Sequence, residues 1–551
     1  MDNQRVILLL VFGFSLLMLW DGWQRQNMPS VPSTVSASVS SSASSSGVAS
    51  DVPSAPVPDV KSGAAAVVPV TQEDGNGSFS VTTIQTDLFN AEISALGGDL
   101  THLALTQHRA AEDKTRPLVL FEKAHHYAAQ SGLIGALPNH KTVWQIQPGE
   151  RALKAGQDSL RVTLTAPAEN GITVRKTYIF QRGSYSIAVE HEVVNAGSNP
   201  VIGHVYYQLV RNDVAPDGAN SMMQTFTGPA FFTEAAKFQK VEFADILEGK
   251  AKHATKATDG WVAMIQLYFV SAWLPTIPGD REFFTRKIAD NRVAAGVVLP
   301  FPTVAPGASV KFSVPLYAGP QEQAALENIA PGFGLVVDYG WLTVIASPLY
   351  WVLEFIHRLM GNWGWAIIGL TVLIKLAFFP LSAASYKSMA KMRVLTPKLM
   401  KLKETYGDDK QRMNQEMMEL YKREKVNPLG GCLPILVQIP VFIALYWVLL
   451  GSVEMRQAPW LGWITDLSSK DPYYVLPLLM GATMFIQTKL NPAPPDPMQA
   501  KLMLWMPVIF TGMFLFFPSG LVLYWTVNNL LSIAQQWQVN KMIERAGLPR
   551  H

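Results

Sequence analysis

The sequence has little cysteine, little charge and no motif for nucleotide hydrolysis. Its 551 residues include one cysteine, Cys432, which excludes an intrachain disulfide and cannot form a metal site alone. Charged residues make up 16% of the chain and the formal net charge is +3, which is too small to predict nucleic-acid binding. No GxxxxGKS or GxxxxGKT run occurs, so no P-loop is expected. We predict no cofactor, no metal ion and no enzymatic activity.

Long apolar runs are abundant, and they lie at the start of the chain and after residue 340. The first run, 6–20, follows Arg5, and no small-residue cleavage pattern comes directly after it. It predicts an uncleaved signal-anchor span over 1–20, with a removed signal peptide as the alternative. Together with the later runs this gives six spans, the other five lying near 363–381, 429–451, 473–488, 502–517 and 518–537.

Two of these runs are short for a bilayer. Runs 473–488 and 502–517 hold 16 residues each, or about 24 Å of helix against a hydrocarbon core of about 30 Å. Either polar flanks are drawn inward or the bilayer thins around the protein.

Loop charges predict the orientation of the spans. Segment 387–428 has eleven Lys and Arg residues against six Asp and Glu residues, which places it in the cytoplasm. Loop 452–472 has more acidic than basic residues and fits the outside. Six spans with both termini in the cytoplasm satisfy every loop, and they place the region 21–340 outside the membrane.

The extramembrane region divides by composition. Residues 21–77 are largely Ser, Pro, Ala and Val and predict a disordered linker. Residues 78–320 contain many short β-rich runs, several alternating with period two, which predicts an all-β sandwich. Histidines in this region are interpreted as structural. Residues 541–551 form a short basic tail.

Residues 321–360 connect the β domain to the spans. Residues 342–360 are apolar, but Pro348, Glu354, His357 and Arg358 interrupt them. We predict an amphipathic helix on the outer membrane surface, and a seventh span is the competing interpretation.

The cytoplasmic segment 383–427 predicts a helical hairpin. Apolar residues recur at steps of three and four, and Gly407, Asp408 and Asp409 supply the turn and a helix cap. Its methionines form either the seam of the hairpin or a surface that adapts to many client sequences; they include Met389, Met392, Met413 and Met417.

The charge at Lys375 is the most unusual feature of the predicted membrane region. A lysine within a span costs about 2.5–3.5 kcal/mol and usually faces a polar interior or a water-filled cavity. Snorkelling of the amine to the cytoplasmic headgroups is the alternative. Thr371 lies one turn away, and Gln438, Thr511 and Asn528 fall at similar depth in other spans. Prolines such as Pro440 loosen the same helices, which favours the cavity.

Several runs carry a family resemblance. The chain contains YKSMAKMRVLTPKLMKLKETYGDDKQRMNQEMMELYKREKVNPLGGCLPILVQIPVFIALYWVL, SVEMRQAPW, DPYYVLPLLMGATMF and DPMQAKLMLWMPVIFTGMFLFFPSGLVLYWTVNN. These runs closely resemble the YidC/Oxa/Alb family of membrane protein insertases. The match is dense over 360–545, and the order of parts covers the whole chain.

The resemblance implies a fold and a location. It implies a polytopic α-helical membrane protein with a five-helix insertase core over 361–540. It also implies a periplasmic β-supersandwich similar to galactose mutarotases, and the inner membrane of a Gram-negative type of cell. The implied partners are nascent membrane proteins, the Sec translocon, a ribosome or targeting factor at the cytoplasmic face, and membrane lipids.

The resemblance also implies a hydrophilic groove that is open to the cytoplasm and to lipid. We assign the groove and client-binding residues as Lys375, Thr371, Gln438, Pro440, Thr511, Tyr524, Trp525 and Asn528. The family carries arginine at the position of Lys375. The lysine keeps the charge but loses the planar fork of donors, which puts bidentate capture of a client carboxylate in doubt.

Two other function classes fit parts of the sequence. A small-solute transporter would need alternating access, which internal repeats commonly provide, and none is evident between the halves of 360–540. A membrane-anchored periplasmic sugar-processing enzyme would place its activity in the β domain. Solute flux in liposomes tests the first class, and deletion of 80–320 tests the second.

Overall fold

The computed structural model describes residues 52–53, 79–111, 113–216, 225–277, 279–406, 409–424, 433–490 and 497–545. The predicted signal-anchor span, nearly all of the predicted linker, Cys432 and the end of the basic tail lie outside these ranges. The chain divides into two compact units, one of β-strands that runs up to Asp338 and one of helices formed mostly from Tyr339 onward.

The β unit consists of two antiparallel sheets of nine strands each. The first has the order β1-β2-β3-β5-β10-β17-β16-β13, with β4 paired to β3, and the second has the order β12-β11-β14-β15-β18-β9-β8-β7-β6. The strands are β1 Val81–Gln85, β2 Phe89–Ser94, β3 Leu100–Arg109, β4 Pro117–Phe121, β5 Ala128–Leu133, β6 Gln145–Ile146, β7 Ser159–Thr165, β8 Ile172–Gln181, β9 Ser186–Asn195, β10 Val201–Asn212, β11 Gly228–Thr233, β12 Lys237–Lys240, β13 Lys256–Ala257, β14 Trp261–Gln266, β15 Phe269–Trp273, β16 Arg281–Ala289, β17 Arg292–Val304 and β18 Ser309–Pro320. The prediction of a β-sandwich is confirmed.

Alternation of apolar residues decides which face of each strand is buried. Along β9 every second residue is buried, and Ile187, Val189 and Val193 lie in the core between the sheets. Val174 and Tyr178 of β8 contribute to the same core. This is the arrangement expected of strands with one face toward a shared interior.

The same alternation along β8 places a lysine in this interior, between Val174 and Tyr178 on the buried face. Lys176 is fully buried, and its amine donates hydrogen bonds to the carbonyls of Gly97 at 2.8 Å and Ser131 at 2.7 Å. Asp99 lies 3.8 Å from the amine. Burial lowers the pKa of Lys176 to about 8 and raises the pKa of Asp99 to about 6. The charges are therefore held inside the sandwich at an electrostatic cost that backbone carbonyls partly offset.

Short helices α1 and α2 belong to the β unit, and the helical unit contains α3 to α10. Their bounds are α1 Phe243–Leu247, α2 Gln323–Leu326, α3 Thr343–Met360, α4 Trp363–Ala377, α5 Phe379–Tyr406, α6 Lys410–Arg423, α7 Leu433–Gly451, α8 Val475–Leu490, α9 Pro497–Phe514 and α10 Ser519–Arg545.

The first predicted span of the core is broken. Helix α4 ends at Ala377, and the chain turns by 60° into α5. Pro380 is the second residue of α5, and its missing N–H and fixed backbone angle oppose a continuous helix through this point. As a result, the first helix of the hairpin begins at Phe379 and not at 383.

By length and hydropathy, no single helix within the described residues could cross a membrane on its own. The bent pair formed by α4 and the beginning of α5 could do so by the same criteria. Three shorter apolar helices occur at Val437–Gly451, Val475–Leu490 and Lys501–Phe514. The short runs noted in the sequence thus remain short as helices.

Helix α3 is apolar on two faces. One face packs in the helical unit through Ala346, Tyr350 and Leu353, which are buried. The other face exposes a large apolar stripe, formed by Val344, Trp351, Phe355, Leu359 and Met360.

Helices α5 and α6 form an antiparallel hairpin. Leu395, Leu399 and Leu420 make its core. Asp409 caps α6 by accepting a hydrogen bond from the backbone N–H of Arg412 at 3.0 Å, as its position in the sequence predicts.

Candidate functional site

Lys375 points its amine at helix α10. The Lys375 Nζ donates a hydrogen bond to the Ser532 Oγ at 2.7 Å. Ser532 is buried, and its hydroxyl donates to the backbone carbonyl of Asn528 at 2.7 Å. No carboxylate among the described residues pairs with Lys375 within 4.0 Å. The amine is therefore bound to an interior hydroxyl and keeps two further protons for other acceptors.

Gln438 links helix α7 to the same side of α10. Its amide nitrogen donates to the Asn528 Oδ1 at 3.0 Å. Tyr524 is buried, whereas Gln438 and Asn528 are half-buried. Residues 524, 528 and 532 are spaced by four and therefore share one face of the helix. We call Lys375, Gln438, Tyr524, Asn528 and Ser532 the polar cluster.

Aromatic rings adjoin the polar cluster. Trp525 lies edge-to-face with Phe442 at a centroid distance of 4.5 Å, and Phe514 lies 5.2 Å from it. Phe442 also stacks on Tyr524 at 6.0 Å. Pro440 interrupts α7 shortly before Phe442 and leaves one helix carbonyl without its usual donor. The neighbourhood thus combines hydrogen-bonding groups with a large apolar surface.

Two predicted residues have local partners instead. The Thr371 hydroxyl donates to the Ile367 carbonyl at 2.6 Å, and the Thr511 hydroxyl donates to the Pro507 carbonyl at 2.6 Å. Thr371 is buried, and Thr511 faces Gly481 on α8. Both hydroxyls donate their single proton within their own helices, so neither donates to a member of the polar cluster.

The predicted hairpin methionines occupy more than one environment. Met392 and Met417 pack against the hairpin core, which puts them in its seam. Met413 is half-buried. The side chain of Met389 lies outside the described atoms. Two other methionines, Met400 and Met418, are exposed on the hairpin surface.

Sequence reasoning did not select Ser532. The spacing of Tyr524, Asn528 and Ser532 at i, i+4 and i+8 was visible in the sequence and could have indicated a polar helix face. It also passed over Thr483, which is buried and accepts a hydrogen bond of 3.4 Å from Asn529. Small hydroxyl residues give a weak sequence signal because they are equally common in helix–helix packing.

The loop between α7 and α8 is held by two buried carboxylates. Asp466 accepts hydrogen bonds from the hydroxyls of Ser468 at 2.7 Å and Ser469 at 2.8 Å. Burial alone would raise the pKa of Asp466, but these hydrogen bonds hold the pKa below its usual value. Asp471 accepts from the Trp463 indole and from the Leu476 backbone. This loop is ordered by its own side chains.

No group of three or more His, Cys, Asp or Glu residues that could hold a metal ion occurs in the part of the chain that the structure describes. The chemistry available at the polar cluster is therefore hydrogen bonding and one positive charge.

Family models match nearly all of the described chain. The YidC periplasmic domain matches residues 81–352. The family described as 60Kd inner membrane protein matches residues 355–546.

Curated relatives match over their full length. The membrane protein insertase YidC of Aromatoleum aromaticum is 58% identical, with 99% of this chain and 98% of the relative covered. That of Dechloromonas aromatica is 55% identical over the same shares. A crystal structure described as an active YidC insertase with its first transmembrane domain resolved has 17% identity and a TM-score of 0.37, covering 83% of this chain and 93% of that chain.

Proposed function

The chain belongs to the YidC family of membrane protein insertases, and we propose that its polar cluster lowers the barrier to moving polar client segments across the bilayer. The observation that carries this proposal is the Lys375 amine, which has one hydrogen bond to Ser532 and no carboxylate partner among the described residues.

The energetics show why such a group is useful. A client helix of about twenty apolar residues gains roughly 6–12 kcal/mol on entering lipid. Each acidic residue that crosses costs about 3 kcal/mol on the same scale. Two or three acidic residues can therefore offset much of the gain while they cross. A positive amine in a hydrated groove reduces this cost by pairing with one carboxylate at a time.

The direction of transport follows the membrane potential. An inside-negative potential favours outward movement of an acidic segment by about 2.3 kcal/mol per charge per 100 mV. In our proposal the groove is open to the cytoplasm and to lipid, and the client's apolar part leaves along α7 and α10. The aromatic surface of Phe442 and Trp525 supports this route because it suits apolar side chains.

The proposal includes a location and a topology. The protein acts in the bacterial inner membrane, with the β unit in the periplasm and both termini in the cytoplasm. The segment 321–360 ends in α3, and we propose that its exposed apolar stripe rests on the outer leaflet. Trp351 and Phe355 support this because aromatic residues favour the membrane interface.

Nascent membrane proteins are the substrates in this proposal. We further propose that the Sec translocon cooperates with the protein for some clients, and that the α5–α6 hairpin meets the ribosome or a targeting factor. The exposed Met400 and Met418 support the hairpin as a contact surface because methionine adapts to varied partners.

Variant Lys375→Ala tests the electrostatic part of the proposal. Two single-span clients are compared in vesicles that contain the full-length protein. Their translocated tails are identical except that one carries three Asp residues and the other three Asn residues. The variant should reduce the initial rate of protease protection for the acidic tail by roughly tenfold or more, because about one charge-assisted pair is lost. The neutral tail should be inserted at nearly the wild-type rate.

Equal rates for both tails in Lys375→Ala would contradict the electrostatic proposal. Lys375→Arg is the matched control, since it preserves the charge at the same position. It should insert the acidic tail at least as well as the wild type.

A further inference from the structure

The Ser532 hydroxyl is the contact that fixes the Lys375 amine. A lysine side chain is a flexible four-carbon stem, so an amine without a partner samples many positions. The 2.7 Å hydrogen bond to Ser532 selects one of them. Ser532 belongs to the middle of α10, whereas Lys375 lies in the last turn of α4. The bond therefore directs the amine toward the interior of the helical unit.

The hydroxyl is itself held in place. It donates to the Asn528 carbonyl at 2.7 Å while it accepts the hydrogen bond from the Lys375 amine. A serine hydroxyl has a single proton, so the bond to the Asn528 carbonyl fixes the direction in which its lone pairs face the amine. Ser532 is buried and cannot exchange these partners for water as readily as an exposed hydroxyl could.

The orientation matters for a client carboxylate. One ammonium proton goes to Ser532, and two protons remain on the side of the amine away from it. A chain of hydrogen bonds from Nζ through Oγ to the Asn528 carbonyl also polarises each member. An amine held in this way keeps its remaining protons in one direction and loses less side-chain entropy when a carboxylate arrives.

We propose that Ser532 is a positioning residue that holds the Lys375 amine in the orientation that binds acidic client segments. This inference rests on the proposed function of Lys375 and adds a residue on a different helix that tunes it. Ser532 does not contact the client. It acts through the lysine, and its effect is therefore confined to clients that need the charge.

The experiment uses the same pair of acidic and neutral clients in vesicles. Ser532→Ala removes the hydroxyl and should slow insertion of the acidic tail about fivefold, the effect expected for the loss of one typical hydrogen bond. The neutral tail should be unaffected. Ser532→Thr keeps a hydroxyl at the same position and should restore most of the acidic-tail rate.

Thr526→Val is the matched control. The Thr526 hydroxyl is buried on α10 and donates to the Val522 carbonyl at 2.8 Å, the same local bond that Ser532 makes to Asn528. Its removal should leave the ratio of the two rates unchanged, because the Lys375 amine bonds to the Ser532 hydroxyl and not to that of Thr526.

The double variant Lys375→Ala/Ser532→Ala completes the design. If Ser532 acts through the lysine, the double variant should be no slower on the acidic tail than Lys375→Ala alone. If Ser532→Ala slows both clients equally, or if the two substitutions add, Ser532 has a general structural role and the inference is overturned. If Ser532→Ala changes neither client while Lys375→Ala does, the inference also fails but the proposed function survives. If Lys375→Ala itself spares the acidic tail, the proposed function fails.

Discussion

Two lysines lie in apolar surroundings, and they differ in how many hydrogen-bond partners the amine has. Lys176 is fully buried in the β-sandwich, and backbone carbonyls surround its amine at 2.7 Å, 2.8 Å and 3.3 Å. All three protons of this amine are donated to backbone carbonyls, so none remains for a hydrogen bond to a ligand. Lys375 has one hydroxyl partner at 2.7 Å. The same side chain is therefore a fixed structural element in one unit and, in our proposal, an available charge in the other.

The buried carboxyl beside Lys176 predicts a pH dependence. Burial raises the pKa of Asp99 from 3.8 to about 6, so folding favours its protonated form. Its contribution to stability is present below pH 3.8 and is lost as the pH rises through about 6. Asp99→Asn removes this titration. The stability of the variant relative to the wild type should therefore improve as the pH rises from about 4 to about 7.

Hydrogen exchange of the full-length protein in detergent measures this effect at the amides of β5 and β8. Exchange rates are corrected for the intrinsic effect of pH. Asp290→Asn, which alters an exposed carboxylate paired with Lys287, should leave the pH dependence nearly unchanged. If the stability derived from exchange depends on pH in the same way for Asp99→Asn and for the wild type, Asp99 does not titrate in this range.

At the scale of elements, the helices achieve close packing through a few small residues. Gly481 on α8 lies directly against Thr511 on α9, and a Cβ atom at Gly481 would collide with the Thr511 hydroxyl. Small residues at such crossings let helices in a membrane approach closely. The presence of a threonine at this point in α9 is thus explained by its packing against Gly481 and by the hydrogen bond from its hydroxyl to the Pro507 carbonyl.

Gly481→Ala should destabilise the contact between α8 and α9. The added methyl group must push the helices apart, at a cost of about 1–3 kcal/mol for overpacking. Gly512→Ala on α9 is the control because a Cβ atom there meets nothing within 4 Å. That change should be neutral or stabilising by up to about 1 kcal/mol, through helix propensity.

Thermal unfolding of the two variants in one detergent gives the comparison. Gly481→Ala should have the lower apparent Tm, and Gly512→Ala should match or exceed the wild type. A Gly481→Ala variant as stable as Gly512→Ala would mean that the two helices can move apart at no cost.

At the scale of the whole molecule, the proposal requires water to reach the polar cluster from one side of the membrane. Cysteine variants in a Cys432→Ser background test this with a membrane-impermeant maleimide. Gln438→Cys should be labelled in inverted vesicles and not in intact spheroplasts. Leu461→Cys, which replaces an exposed residue of the loop between α7 and α8, should show the opposite pattern.

Leu530→Cys is the control for exposure to lipid. Leu530 is exposed on α10, close in sequence to Asn528, and should react poorly from both sides because its surroundings are apolar. Protection of Gln438→Cys from both sides would mean that the cluster is dry, and the mechanism proposed for it would be wrong even though the family assignment would stand.

Much of the fold could be predicted because its signals are local. Period-two alternation in runs such as β9 identified the sandwich, and apolar runs identified α7 to α9 to within about five residues at each end. The last apolar run identified the start of α10, but this helix continues to Arg545, eight residues beyond the predicted span. The break after Ala377 was missed because hydropathy does not register a bend. Pro380 carried that information, but a proline near a helix end and a proline at a kink look alike in a sequence.

The candidate site was predicted less completely. Lys375 was chosen because a charge in an apolar run is costly wherever it lies, and Gln438 and Asn528 were chosen by depth. The depth of a residue in its span does not reveal that Gln438 and Asn528 are hydrogen-bonded to each other at 3.0 Å. It also does not reveal that the Thr371 hydroxyl donates to a carbonyl of its own helix. Such facts depend on the rotation of each helix about its axis, which packing fixes.

The order of amino acids was enough to identify the family, the division into an all-β region and an apolar helical region, and the presence of one costly charge. These follow from composition, periodicity and motif, which are properties of a chain before it folds. That the charge is hydrogen-bonded to Ser532, a residue 157 positions away along the chain, became visible only in the folded protein. A partner so distant is selected by which helix faces pack together, and no local pattern in either helix encodes that choice.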